Sequence, residues 1–249
     1  MKTILLLIYL ALYPCFGIAA TAHASLSNFR FEILSGEAPT FDPDSFYSQV
    51  ISGVHTQSRE EHQEKLPSPY TYDISAVTIG GHGQAVTHIS YGPDSTPTFS
   101  SNATATRSTA ESYGETFFSL NYRANAVIKI SADAYVSGTA SNKDIVTTIA
   151  AIRGANIGPN GGIANHFEPN IGYASYPTAF DEDWSFSRTL SFTFSYPTDT
   201  ILYFSSRTYA SVEINPYIPS QVPEPQSYVL ASLGLMLIAG KKSRALKAS

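Results

Sequence analysis

Residues 186–214 read FSRTLSFTFSYPTDTILYFSSRTYASVEI, and this stretch decides the fold. Phe186, Leu190, Phe192, Phe194 and Tyr196 fall at even positions, with Arg188 the exception. Ser187, Thr189, Ser191, Thr193 and Ser195 fall between them. Successive side chains of a strand point to opposite faces, so this alternation gives one apolar and one hydroxyl face. Pro197-Thr198-Asp199 is a turn cluster. Beyond it Leu202, Phe204, Ala210, Val212 and Ile214 again share one parity. Two such runs joined by a short turn predict an antiparallel hairpin.

The same pattern extends outward. Ala126, Ile128, Ile130, Ala132, Ala134 and Val136 alternate with Val127, Lys129, Ser131, Asp133 and Tyr135. Further strands are expected at 70–79, 84–91, 115–122, 145–153 and 171–176, and one helix at 44–54, with Phe46, Val50, Ile51 and Val54 inward. Turn clusters such as Gly80-Gly81-His82-Gly83, Gly92-Pro93-Asp94 and Gly158-Pro159-Asn160-Gly161-Gly162 separate the strands. The run from His55 to Pro69 lacks an apolar face and reads as an exposed loop. Strands with one apolar face pack in pairs of sheets, so the expected fold is all-β: an antiparallel, jelly-roll-like β-sandwich.

Both ends of the chain read as addresses. Lys2, the apolar run Ile4 to Leu12, and Ala22-His23-Ala24 match a secretory signal with a small-x-small cleavage site, placing Ser25 at the mature N-terminus. Pro14 stands where a lipoprotein motif needs a small residue before Cys15. The sole cysteine then leaves with the signal, excluding a disulfide or thiol nucleophile.

At the other end come Val222-Pro223-Glu224-Pro225, an uncharged run from Tyr228 to Gly240, and the basic cluster Lys241, Lys242, Arg244 and Lys247. Thirteen uncharged residues make roughly 20 Å of helix, shorter than the ~30 Å hydrocarbon layer. Snorkelling lysines and upstream residues would cover the shortfall, and the basic cluster would stop transfer. The expected organisation is a signal peptide over 1–24, an ectodomain over 25–221 and a sorting tail over 222–249, with a single transmembrane helix at 228–240.

This three-part tail resembles the PEP-CTERM sorting signal. The resemblance covers about 28 residues and departs from the family in a lysine-rich rather than arginine-rich terminus. It implies export by a Gram-negative-type bacterium and transient inner-membrane anchoring. Processing by the transpeptidase exosortase would follow, with release to the cell surface or outside. It also implies a role in exopolysaccharide matrix or biofilm. The expected partners are signal peptidase, exosortase and exopolysaccharide.

The ectodomain holds 19 acidic and 10 basic residues, a net charge of −9, against −5 for the chain. Acidity of this size disfavours nucleic acid, which needs a basic face. It also holds 28 serines and 20 threonines, about a quarter of its residues. Those residue types suit solvent-facing strands and turns.

The chemistry-bearing groups are sparse. There is no G-x-S-x-G and no H-E-x-x-H, and His55, His62, His82, His88 and His166 lack a third ligand at metal spacing. Asp181 and Asp183 are calcium candidates, set against the plainer reading of an acidic strand-entry turn. Dispersed acids such as Asp133, Asp144 and Glu168 single out no catalytic pair. Tyr203, Arg207 and Tyr209 share the polar face of the last strand, with Glu213. Flat aromatics beside hydrogen-bonding groups are what sugar rings stack on, although tyrosine also favours strands for packing alone. The expected function is therefore a non-catalytic surface or matrix protein that needs no cofactor. The alternatives are a carbohydrate-binding module using Tyr203, Arg207 and Tyr209, and a secreted hydrolase.

Overall fold

The computed structural model describes residues 19–55, 73–80, 82–91, 97–106, 108–140, 144–158, 162–175 and 182–214. The sorting tail, its membrane run, Asp181 and His62 lie outside these. The described residues hold twelve strands and no helix. In chain order they are β1 (Ala20–Ser35), β2 (Thr40–His55), β3 (Ile74–Gly80), β4 (Gly83–Tyr91), β5 (Pro97–Ala105) and β6 (Thr109–Tyr122). Then follow β7 (Val127–Ala140), β8 (Ile145–Ile157), β9 (Ile163–Phe167), β10 (Asn170–Ala174), β11 (Glu182–Ser195) and β12 (Thr200–Glu213).

Every pairing is antiparallel. The first sheet runs β11-β7-β1-β5-β4-β3, and the second runs β10-β8-β12-β6-β2 with β9 also on β8. The two sheets form a sandwich-like arrangement whose inner faces share the core.

The expected hairpin over 186–214 does not form. β11 pairs only with β7, in the first sheet, whereas β12 lies between β6 and β8 in the second. The expected alternation holds from Leu190 to Phe194 and from Leu202 to Val212, whereas Phe186 is exposed, and Pro197-Thr198-Asp199 carries the chain from one sheet to the other. The apolar faces of the two strands meet across the core: the rings of Phe192 and Phe204 stack with centroids 6.4 Å apart.

The expected helix over 44–54 is also absent, since these residues belong to β2. Phe46, Ser48, Val50, Ser52 and Val54 all point inward. Two buried serines disguise a period of two as a helical spacing of apolar residues. The same disguise hides β5, where Ser101 stands between inward Phe99 and Ala103.

Those serines belong to a layer of hydroxyls inside the sandwich. On one side of it lies a cluster of large residues, including Phe29, Phe99, Phe118, Phe192, Phe194 and Phe204. On the other lies a cluster of small ones, mostly alanine and valine, against which Trp184 packs. Between them Ser48 shares hydrogen bonds with Tyr91 (2.7 Å) and Thr116 (3.0 Å). Ser52 pairs with Thr78 (2.8 Å), and Ser101 pairs with Thr208 (2.8 Å). Serine and threonine here are therefore interior residues as well as surface ones. A buried hydroxyl is tolerated because another satisfies it.

Ser112 and Ser206 are buried, and their hydroxyls have no hydrogen-bond partner among the described residues. Removing an unsatisfied hydroxyl relieves a desolvation cost, whereas removing half of a pair leaves its partner stranded. Ser206→Ala is therefore expected to be neutral or stabilising by up to about 1 kcal/mol, and Ser101→Ala destabilising by about 1–2 kcal/mol. Urea midpoints of the two variants would order them; equal losses would contradict this account of the layer.

β1 begins at Ala20, upstream of the expected mature N-terminus at Ser25. It is an interior strand, paired with β5 on one side and β7 on the other. Ala20, Ala22 and Ala24 are all buried. The boundary expected after Ala24 thus falls inside a central strand.

Candidate functional site

β12 occupies the centre of the second sheet. Its even residues, from Leu202 to Val212, are buried in the sandwich. Its odd residues face outward, so Tyr203, Arg207 and Tyr209 lie half-buried on one outer face, as their parity predicts. Arg207 stands opposite Glu115 on β6 and Ala151 on β8. Tyr209 stands opposite Tyr113, and Ser205 between Phe117 and Arg153.

The three residues do not form a single flat row of rings. Tyr203 stacks on Phe117, with centroids 5.8 Å apart and planes at 22°. Tyr203 also lines a groove of about 350 Å³ with Ile157, Asp199, Thr200 and Ile201. Asp199 is held in place there by the backbone N–H of Ala124 (2.8 Å) and by Arg123 (3.0 Å). Those contacts lower its pKa below the usual aspartate value.

Arg207 belongs to an ion cluster centred on Glu168. Its Nη2 donates to Glu168 Oε1 at 2.8 Å, and Arg153 Nη2 donates to the same oxygen at 2.7 Å. His166 Nε2 lies 3.9 Å from the other Glu168 oxygen. Glu168 follows β9, and the backbone there is tied down because Ile152 N–H donates to the Pro169 carbonyl. Nearby, the Tyr113 hydroxyl donates to Glu115 at 2.5 Å. Burial first, then that bond to Glu115, raises the Tyr113 pKa, so the phenol stays protonated.

Burial alone would raise the Glu168 pKa. The Arg153 hydrogen bond, with the charges of Arg153, Arg207 and His166, outweighs it and holds the carboxyl below its ordinary value of 4.5. A carboxylate with a depressed folded pKa contributes stability above its unfolded value and loses it as pH falls through the folded one. Glu168→Gln is therefore expected to destabilise at pH 7, with the difference shrinking as pH falls below about 4.5. Urea titrations of both proteins at several pH values would check this, and a pH-independent difference would refute the linkage.

Arg153, Glu168, His166, Glu115 and Tyr113 were not grouped with Arg207 from the sequence. They come from three other segments, β6, β8 and the end of β9, and only strand order brings them together. Their lone signal is parity within β6 and β8, which cannot say that those strands flank β12.

The remaining candidates lie elsewhere. Asp183 is exposed on β11 beside a shallow depression that Thr21, Tyr135 and Trp184 also line. His88 faces outward on the first sheet, 4.0 Å from Asp73. His82 sits in a turn whose carbonyl accepts from Thr106 N–H at 2.8 Å. Among the described residues, no three His, Cys, Asp or Glu side chains converge to hold a metal ion.

No family model matches the chain, and no curated protein matches it. A solved structure described as a carbohydrate-binding module from the β-sandwich superfamily aligns over 76% of this chain and 96% of its own. The identity is 9% and the TM-score 0.12, a likeness too slight to carry an argument. The class is therefore set by the geometry alone: an antiparallel two-sheet β-sandwich with an aromatic and ionic outer face.

Proposed function

We propose that this chain is an exported, non-catalytic surface or extracellular-matrix protein that associates with exopolysaccharide. In this reading a jelly-roll-like ectodomain is flanked by a cleaved leader and by a transient membrane helix at 228–240. Exosortase acts at Val222-Pro223-Glu224-Pro225 and releases the ectodomain. The order of leader, sandwich, proline motif, apolar run and basic cluster carries this reading. Mass spectrometry of the exported protein is expected to find a C-terminus near the proline motif. A mature species that retains Lys241 to Ser249 would sink the sorting part of the proposal.

Carbohydrate binding through the β12 face is the second reading. It is favoured by the half-exposed Tyr203 beside a groove and by two guanidinium groups flanking the aromatic cluster. Tyrosine rings offer an apolar face to sugar carbons, while arginine N–H groups donate to ring hydroxyls. A glycan array with the exported protein would test it. Tyr203→Ala and Tyr209→Ala are each expected to weaken binding about ten-fold, the loss of one stacking ring. Unchanged binding in both variants would remove this face from consideration.

A further inference from the structure

The leader of this protein offers three small-x-small sites: Gly17-Ile18-Ala19, Ala20-Thr21-Ala22 and Ala22-His23-Ala24. A leader peptidase needs small residues at the last and third-last positions of the leader, and all three sites satisfy it. The sequence alone does not choose between them. The fold of the ectodomain does, because the second and third sites lie within β1.

Cleavage after Ala24 would remove the first five residues of β1. In the sheet, Ala20 to Ala24 pair with Ala105 to Ser101 of β5. Thr21 to Ala24 pair with Thr139 to Val136 of β7. Taking them out would open a slot in the middle of the sheet, leaving the ladders of two strands without partners. An unpaired backbone group buried from water costs free energy comparable to a lost hydrogen bond. The core would lose Ala20 and Ala22, which are 0% and 2% exposed. Cleavage after Ala22 would remove both as well.

The outer side chains of the same segment are also engaged. Thr21 and Thr139 share a hydroxyl hydrogen bond at 2.9 Å, and His23 Nδ1 lies 2.6 Å from Asn102 Oδ1.

A second observation comes from the facing strand. Gly138 stands opposite Ala22 on β7. A Cβ there would sit 2.8 Å from the Thr21 carbonyl oxygen and 2.3 Å from the Trp184 ring. Contacts that short do not occur, so a side chain at 138 would collide with Thr21 and Trp184. Gly138 thus fits against the Thr21 backbone on one side and the Trp184 ring on the other.

We infer that leader peptidase cuts the Ala19–Ala20 bond, so that the mature chain begins with the first residue of β1. Water adds across that peptide bond, leaving a carboxylate on Ala19 and an amine on Ala20. Ala19 precedes β1 and is half-buried, at the margin of the sandwich. The inference rests on reading the N-terminus as a cleaved leader, and it corrects where that leader ends.

N-terminal sequencing of the protein exported from the full-length chain decides the matter. The expected first residue is Ala20. A first residue of Ser25 or His23 would overturn the inference while keeping the leader reading. A first residue of Met1 would overturn both. Ala19→Arg, outside β1, provides a second readout. It is expected to abolish the Ala20 start and to accumulate precursor. Mature protein of unchanged amount starting at Ser25 from that variant would also overturn the inference.

Discussion

Phe204→Ala is expected to lower the unfolding free energy by about 3–5 kcal/mol, the range for deleting a large buried aromatic. Phe204 is 1% exposed and sits where the sheets meet. Its ring lies 4.8 Å from Phe118 and 5.7 Å from Phe31, and within 6.4 Å of Phe29 and Phe192. Those partners come from β6, β1 and β11, so one truncation loosens both sheets.

The site has little room to collapse. Gly154, its neighbour on β8, already gives its side-chain space to the Phe192 ring: a Cβ there would lie 2.5 Å from it. A cavity that cannot close keeps its full cost. Urea unfolding of the exported protein would measure the loss. A value below about 1.5 kcal/mol would mean that these rings do not form the central contact between the sheets.

Tyr122→Phe is the second large effect, and it removes one atom. Tyr122 is 1% exposed at the end of β6. Its hydroxyl donates to the Ala126 carbonyl and accepts from the Tyr196 N–H at 2.9 Å. Ala126 lies in the turn where the chain leaves the second sheet for the first. Tyr196 lies where it returns. The Asn125 N–H donating to the Tyr196 carbonyl at 2.8 Å joins the same two passages.

Phenylalanine would preserve the ring and its edge contact with Phe194 at 4.7 Å. It would strand a buried carbonyl and the N–H of half-buried Tyr196 together. At about 1–3 kcal/mol for each unsatisfied group, partly relieved by relaxation, the expected cost is about 2–4 kcal/mol. Thermal or urea unfolding would report it. A cost under about 0.5 kcal/mol would show that water replaces the hydroxyl and that the crossovers do not depend on it.

The two effects share a cause that is partly visible along the chain. Phe204 is marked as a core residue by the alternation of 201–214, and Tyr122 falls within the strand expected at 115–122. Neither residue's partners are visible there. Phe31 and Phe118 are remote in sequence from Phe204, and nothing local says that Tyr196 reaches Tyr122. Where alternation was interrupted by small or hydroxyl residues, even the element was missed. β2 reads as a helix because Ser48 and Ser52, which look polar along the chain, are buried. The start of β1, Ala20 to Ala24, reads as the end of a leader because Ala22 and Ala24 satisfy a cleavage rule and a buried strand equally well.

The candidate site divides the same way. That Tyr203, Arg207 and Tyr209 share a face follows from parity along one strand. That Arg207 shares Glu168 with Arg153 follows from β9 and β12 both pairing with β8.

By itself the sequence determined the class of structure, most strand positions and which residues of β12, of β7 and of β11 from Leu190 onward point inward. Side-chain alternation is a property of the local backbone and needs no partner to be read. Tertiary structure alone decided which strands pair, that 186–195 and 200–213 lie in different sheets, that hydroxyls line the interior, and that Ala20 to Ala24 belong to a central strand. Each of those depends on hydrogen bonds and contacts between residues far apart in the chain. Many sequences of strands with the same local pattern could satisfy them in other orders, and only the assembled sheets show which order this chain adopts.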